Sequence, residues 1–142
     1  MRQDTPGVAP SHVDLLRQVA SGLTSRVEDV LVGSDLTLDQ WRVLRTVDDD
    51  GPLSMSDLGG RTRIPGPTAT RIVDRLVERS LLYRNVDATD RRRVLVHAAE
   101  RGRNLCRSLA PRIADAERDG LAALSAPEAA TLRRLLERLA TG

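Results

Sequence analysis

Apolar residues near the start of the chain recur at alternating steps of three and four: Val13, Leu16, Ala20, Leu23, Val27 and Val30. That period places them on one narrow helical stripe, the form suited to a seam between two helices. Ser11 stands where a helix cap is needed, and Gly33-Ser34 where the helix should stop. Thr37 caps a second predicted helix, with Leu38, Trp41, Leu44 and Val47 on its inner face and Asp48-Asp49-Asp50-Gly51-Pro52 ending it. Ser54-Met55-Ser56-Asp57 reads as a capping-box-like start, with Asp where Glu or Gln is usual. A short third helix follows through Leu58 to Arg61, and Gly59 and Gly60 weaken it by roughly 1 kcal/mol each relative to Ala, so packing must hold it.

Ile64-Pro65-Gly66-Pro67 is a turn, and Pro67 fits the first position of a fourth helix, where a missing N–H costs nothing. Ile72, Val73, Leu76 and Val77 form its inner face. Arg71, Arg75 and Arg79 lie four apart on an outer face, a spacing at which like charges repel. Asp74 and Glu78 relieve this in part; a row of phosphates would relieve it further. Leu81–Val86 and Val94–His97 read as short strands around the polar stretch from Asp87 to Arg93, a β-hairpin with an arginine-rich tip. Glu100 opens a long helix carrying Leu105, Leu109, Ile113, Ala116, Leu121 and Leu124, which Pro111 should kink or divide. Ser125 caps a last helix, with Pro127 in its first turn and Ala129, Leu132, Leu135, Leu136 and Leu139 along one side.

The predicted fold class is therefore mainly α with a small β-hairpin wing: a winged helix-turn-helix with flanking N- and C-terminal dimerisation helices. The expected organisation is a flexible tail at 1–10, an N-terminal dimerisation helix at 11–34, a winged helix-turn-helix at 35–99 and C-terminal dimerisation helices at 100–142. The flanking helices would expose leucine faces unless a second copy covered them. A core with Trp41, Tyr83 and no Phe must be built from aliphatic side chains, which agrees with packed helices.

The net charge of +2 conceals an uneven distribution. Between Arg61 and Arg93 nine arginines face four acids, a surplus of +5, while the rest of the chain carries −3. One basic segment on a near-neutral protein is the footprint of a polyanion binder. All 22 basic residues are arginine. Without lysine there is no phosphate-cradling Gly-Lys loop, no lysine Schiff base and no Ser-x-x-Lys acyl-transfer site. One cysteine, Cys106, and two histidines, His12 and His97, allow no intrachain disulfide and supply poor material for zinc. No cofactor is expected. No apolar run is long enough to span a bilayer and no signal peptide is evident, so the expected location is the cytoplasm.

The chemistry concentrates in the basic helix and the hairpin. A helix fits the DNA major groove, and residues near its N-terminus reach base edges; here those are Thr68, Ala69, Thr70 and Arg71, with Arg75 one turn on. Arginines at a hairpin tip suit the narrow minor groove, where negative potential is focused; Arg92 is expected to enter it, and Arg91 and Arg93 to hold phosphates. Asp90 beside them offers a carboxylate that can accept bonds from Arg92 and hold it extended. Ser54 and Arg63 are expected phosphate contacts.

Gly51-Pro-Leu-Ser-Met-Ser-Asp-Leu58, Thr68-Ala-Thr-Arg-Ile-Val-Asp-Arg-Leu76, and Asp90-Arg-Arg-Arg-Val-Leu-Val96 with Gly102 closely resemble the multiple-antibiotic-resistance regulator (MarR) family. The resemblance runs from about Leu36 to Leu105, and its most specific part is the wing signature. It implies a recognition helix from Pro67 to Ser80, a wing-tip arginine at Arg92 oriented by Asp90, and a homodimer joined by its first and last helices. It further implies a pseudo-palindromic double-stranded DNA operator, usually repression, and release by a small, often phenolic or anionic, effector. An effector pocket would lie between the dimer helices and the DNA-reading unit, lined from the first, second and fifth helices, with Trp41 a candidate wall. The family's peroxide sensors carry their cysteine near the first helix, unlike Cys106.

Four features depart from the pattern. Ala98-Ala99 replaces Leu-Thr, which removes the cap of the long helix. Ser80 stands where Gly ends the recognition helix, Arg63 where Gly is common in the turn, and Thr62 where Leu is common. A different reading of the same pattern is a winged-helix protein–protein adaptor without specific DNA binding; it predicts little DNA affinity.

Overall fold

The computed structural model describes residues 7–142; most of the expected tail at 1–10 lies outside the described residues. Among the described residues, six α-helices and one hairpin follow in the predicted order. Helix α1 spans His12–Leu31, and the Asp14 N–H donates to the Ser11 hydroxyl at its start (3.1 Å). A single 3-10 turn, Val32–Ser34, follows it. Helix α2 (Leu38–Asp50) opens with a full capping box: Gln40 N–H donates to the Thr37 hydroxyl, and Thr37 N–H to the Gln40 side chain, both at 3.1 Å.

Helix α3 (Met55–Thr62) is capped by Ser54, whose hydroxyl accepts from Asp57 N–H (3.1 Å). The Asp57 carboxylate goes instead to Arg93 (2.9 Å), so the box is half formed. Helix α4 is Gly66–Glu78. Strands β1 (Leu82–Val86) and β2 (Val94–Ala98) pair antiparallel, with Leu82 opposite Ala98 and Val86 opposite Val94. Leu53 bridges to Val96 through two backbone bonds of 3.1 and 2.7 Å, fastening the base of the hairpin to the segment before α3. Sequence periodicity carried no sign of that bridge.

Helix α5 (Glu100–Gly120) is continuous through Pro111. The expected division does not occur: Pro111 is exposed, on the side of a helix where carbonyls can tilt out toward solvent without breaking it. Leu121 and Leu124 fall in the turn after α5 rather than on it. Helix α6 (Ala126–Thr141) starts with a capping box between Ser125 and Glu128.

One aliphatic core joins α2, α3, α4, the hairpin and the first half of α5. Val43, Leu44, Leu58, Val73, Leu76, Val96 and Leu109 are sealed within it. Trp41 is packed there too, as a core anchor. Leu31, outside the predicted stripe, is the residue of α1 that enters deepest. Gly102 permits the entry of α5: a Cβ there would lie 2.1 Å from the Leu81 carbonyl oxygen and 3.1 Å from Leu44 Cδ1. Ala99, the residue before α5, makes no side-chain cap.

The far half of α1 and all of α6 behave differently. Val13, Leu16 and Val19 are about half exposed or more, and α6 buries no residue at all. Leu139 is 73% exposed.

Candidate nucleic-acid interface

Helix α4 is held by Ile72, Val73 and Leu76 on its inner side, which dictates what its other sides present. Thr70 and Arg71 are exposed and Thr68 is half buried. Ala69 is fully buried, which corrects the expectation that it reads base edges: its methyl group continues the inner face one turn before Val73. The Thr70 hydroxyl bonds back to the Gly66 carbonyl (3.0 Å) and keeps lone pairs free to accept. Arg71 has no ion pair among the described residues, and Arg75 stands 3.6 Å from Glu78 in a loose, exposed one.

Arg79 does not extend the row of Arg71 and Arg75. It is the C-terminal cap residue of α4, and its guanidinium donates to the Asp35 and Ser34 carbonyls at 2.7 and 2.9 Å. It ties the end of α4 to the turn that follows α1. Carbonyl acceptors, rather than phosphates, relieve the repulsion at this third arginine.

The hairpin tip is a built turn. Asp87 accepts from Thr89 N–H (3.0 Å) and from the Thr89 hydroxyl (2.9 Å), and those two bonds, the backbone one foremost, hold its carboxyl below the ordinary range. Asp87 N–H donates to the Arg93 carbonyl (2.8 Å). Asp90 does act on Arg92, but through the backbone: its carboxylate accepts the Arg92 N–H at 3.0 Å. The turn is shaped by Asp90 while the Arg92 side chain is left outside. Arg91 and Arg92 are exposed and have no ion pair among the described residues. Arg93, expected beside them, reaches Asp57 at the start of α3. Arg84 on β1 pairs with Asp74 on α4 at 2.6 Å. These two bridges clip the wing to the helices on either side of the helix-turn-helix. Sequence reasoning missed both, because the partners lie 36 and 10 residues apart and no local pattern links them.

Ser54 sits half-buried at the positive end of α3, its hydroxyl engaged in capping. Arg63 has left-handed backbone geometry (φ 56°) as the C-cap of α3, and its guanidinium donates to the Ala140 carbonyl in the last turn of α6 (2.8 Å). Ser80 is left-handed as well (φ 58°). Both positions where this chain lacks the expected glycine therefore keep the backbone a glycine would favour, at a cost of about 1 kcal/mol each.

Cys106 is buried, and loss of hydration together with the nearby Asp48 charge pushes its thiol up to about 12. It is a core residue without thiolate character. His97 stacks on Tyr83 with ring centroids 4.8 Å apart. No cluster of metal-ligating side chains occurs among the described residues, and no helix there is long and apolar enough to cross a membrane.

Two helices joined by a tight turn, a following hairpin clipped to both, and unpaired arginines on the second helix and the hairpin tip define a winged helix-turn-helix of the nucleic-acid-reading kind. Residues 34–93 match the model of the MarR family. A probable transcriptional regulator from Pseudomonas aeruginosa is 32% identical, with a TM-score of 0.80 over 91% of this chain and 96% of that one. The chain belongs to the MarR family of transcriptional regulators. BpsR of Bordetella bronchiseptica, whose DNA binding is regulated by 6-hydroxynicotinic acid, is 27% identical with a TM-score of 0.84 over 94% of this chain and 99% of its own. The transcriptional regulator FarR of Neisseria gonorrhoeae is 30% identical over 90 residues, 63% of this chain and 62% of FarR. The chain thus spans somewhat less than two thirds of that curated relative's length.

Proposed function

We propose that the protein is a homodimeric repressor that binds a pseudo-palindromic operator in the cytoplasm and leaves it when a small molecule binds. The observation that carries the DNA reading is the division among the arginines. Arg79, Arg84 and Arg93 are committed to protein partners, whereas Arg71, Arg91 and Arg92 stand exposed and unpaired among the described residues, on the recognition helix and the wing tip. In this reading Thr68, Thr70, Arg71 and Arg75 face the major groove, Arg92 enters the minor groove, and Arg91 holds phosphate.

The dimer is supported by an apolar groove of about 520 Å³ between α1, the end of α5 and α6, lined by Leu15, Leu16, Val19, Leu23, Leu132 and Leu136 among others. Twofold pairing covers it and sets two recognition helices one DNA turn apart, roughly 34–36 Å. Effector control is supported by the regulation of BpsR by a small aromatic acid. A cleft of about 450 Å³ between the turn after α1, the end of α4 and α5 is lined by no carboxylate; Arg79 there is held by backbone carbonyls, which leaves Arg101, with Asn104 and Ser108, to meet an anionic ligand.

The test is binding of the purified protein to its own upstream intergenic DNA and to a scrambled duplex across a salt series. Tight, salt-dependent preference for the native duplex is expected. Arg92→Ala should weaken it and reduce the salt slope by about 1. Absence of binding to either duplex at low salt would overturn the reading in favour of a protein–protein adaptor.

A further inference from the structure

Arg63 occupies the turn between α3 and α4, the joint that sets the angle of the recognition helix. The turn is braced from the α2 side: Arg42 donates to the Thr62 carbonyl, and Arg61 pairs with Asp50 at 3.0 Å. From the opposite end of the sequence, the Ala140 carbonyl accepts from Arg63 across 77 residues. That carbonyl lies in the last turn of α6, where backbone acceptors lack helical donors and the helix dipole is negative. A guanidinium suits that position, and it is supplied from a residue whose left-handed backbone would favour glycine.

We infer that Arg63 is a positioning residue: a strut that transmits the position of α6 to the helix-turn-helix joint and so fixes how the two recognition helices are held relative to each other. This rests on the dimer reading above, since α6 is placed by a second copy only if the dimer forms. It assigns Arg63 a role other than phosphate contact. A phosphate contact acts when DNA is present; a strut acts in its absence.

The test is therefore made without DNA. Nitroxide labels are placed on α4 through Glu78→Cys, Cys106 being buried and unreactive, and the distance between the two protomers' labels is measured by pulsed dipolar spectroscopy. Arg63→Gly removes the guanidinium while retaining, and favouring, the left-handed turn. Deletion of Ala140–Gly142 removes the acceptor instead. Each is expected to broaden the distance distribution and shift it by several ångströms while sedimentation still shows a dimer, and the two together should do no more than either alone. An unchanged distribution in Arg63→Gly overturns the strut and leaves the residue to phosphate. A wild-type chain with no inter-protomer signal overturns the dimer reading itself, and the inference with it.

Discussion

Leu44, Leu58, Leu76 and Val96 are sealed from solvent by residues of the same chain, whereas Val13, Leu16, Leu136 and Leu139 on α1 and α6 face outward. The amphipathic patterns of the two regions look alike in sequence. Their difference is where the complementary surface comes from. The helix-turn-helix closes on itself because Gly102 lets α5 descend onto Leu81 and because Leu53 bridges to β2. The far end has no such closure, and its leucines await the second copy proposed above. Each Leu covered there is worth about 1.5–3 kcal/mol.

The comparison breaks most sharply at Leu136. Leu136→Arg places a charge in the apolar groove. It should give a monomer whose helix-turn-helix still unfolds cooperatively, with operator affinity lowered by about 100-fold or more through loss of simultaneous half-site binding. Sedimentation and thermal melting, run beside the binding assay, check all three. A variant that stays dimeric would show that the groove is not the interface.

Gly102→Ala attacks the closed region instead. Its methyl group would meet the Leu81 carbonyl, so α5 or the end of α4 must move. A loss of about 1–3 kcal/mol is expected in urea unfolding, with the dimer contacts intact in what remains folded. The position lies in the stretch resembling the MarR family, yet nothing in its neighbours along the chain announces a close approach to residue 81. The resemblance marked the glycine, and only the fold shows the close approach it permits.

The same division governs what was legible in the sequence. Helix starts at Ser11, Thr37, Ser54 and Ser125 were readable because capping is local, and the hairpin was readable because strand alternation and a polar turn are local. Ala69 was misplaced because its exposure depends on how α4 rolls against the core, and alanine is too small to mark a face. Arg63, Arg79, Arg84 and Arg93 could be placed on their elements, but an arginine reaches far enough that its partner is set by tertiary structure. Among the arginines proposed to meet DNA, Arg71, Arg91 and Arg92 have no ion pair among the described residues, which supports the reading the pattern suggested for them.

Ala99→Thr should strengthen the closed region by about 1 kcal/mol. Its backbone already has cap geometry (φ −73°, ψ 161°), and a hydroxyl there would take one of the free N–H groups at the start of α5. Chemical denaturation of the monomeric Leu136→Arg background is the cleanest measurement, because dimer dissociation no longer contributes. No gain would mean that the backbone at α5 moves when the hydroxyl arrives.

The smallest expected effect separates local from quaternary order most directly. Asp87, half-buried in the wing, and Glu128, exposed at the start of α6, are both held below the ordinary carboxylate range, Asp87 by the bonds from Thr89 and Glu128 by those with Ser125, its side chain first. A depressed folded value means that each carboxylate stabilises its turn above the unfolded value and loses that contribution as pH falls through the folded one. Both turns should therefore loosen on acidification below the ordinary carboxylate range. Carboxyl carbon NMR titration of wild type and Leu136→Arg compares the two sites in one experiment. The Asp87 shift should persist in the monomer, because its partners lie within the same hairpin. If the Glu128 shift persists too, α6 is a helix by its own capping box before it meets a partner. If it vanishes, α6 takes its form from the second copy, and the two regions differ in how they fold as well as in how they pack.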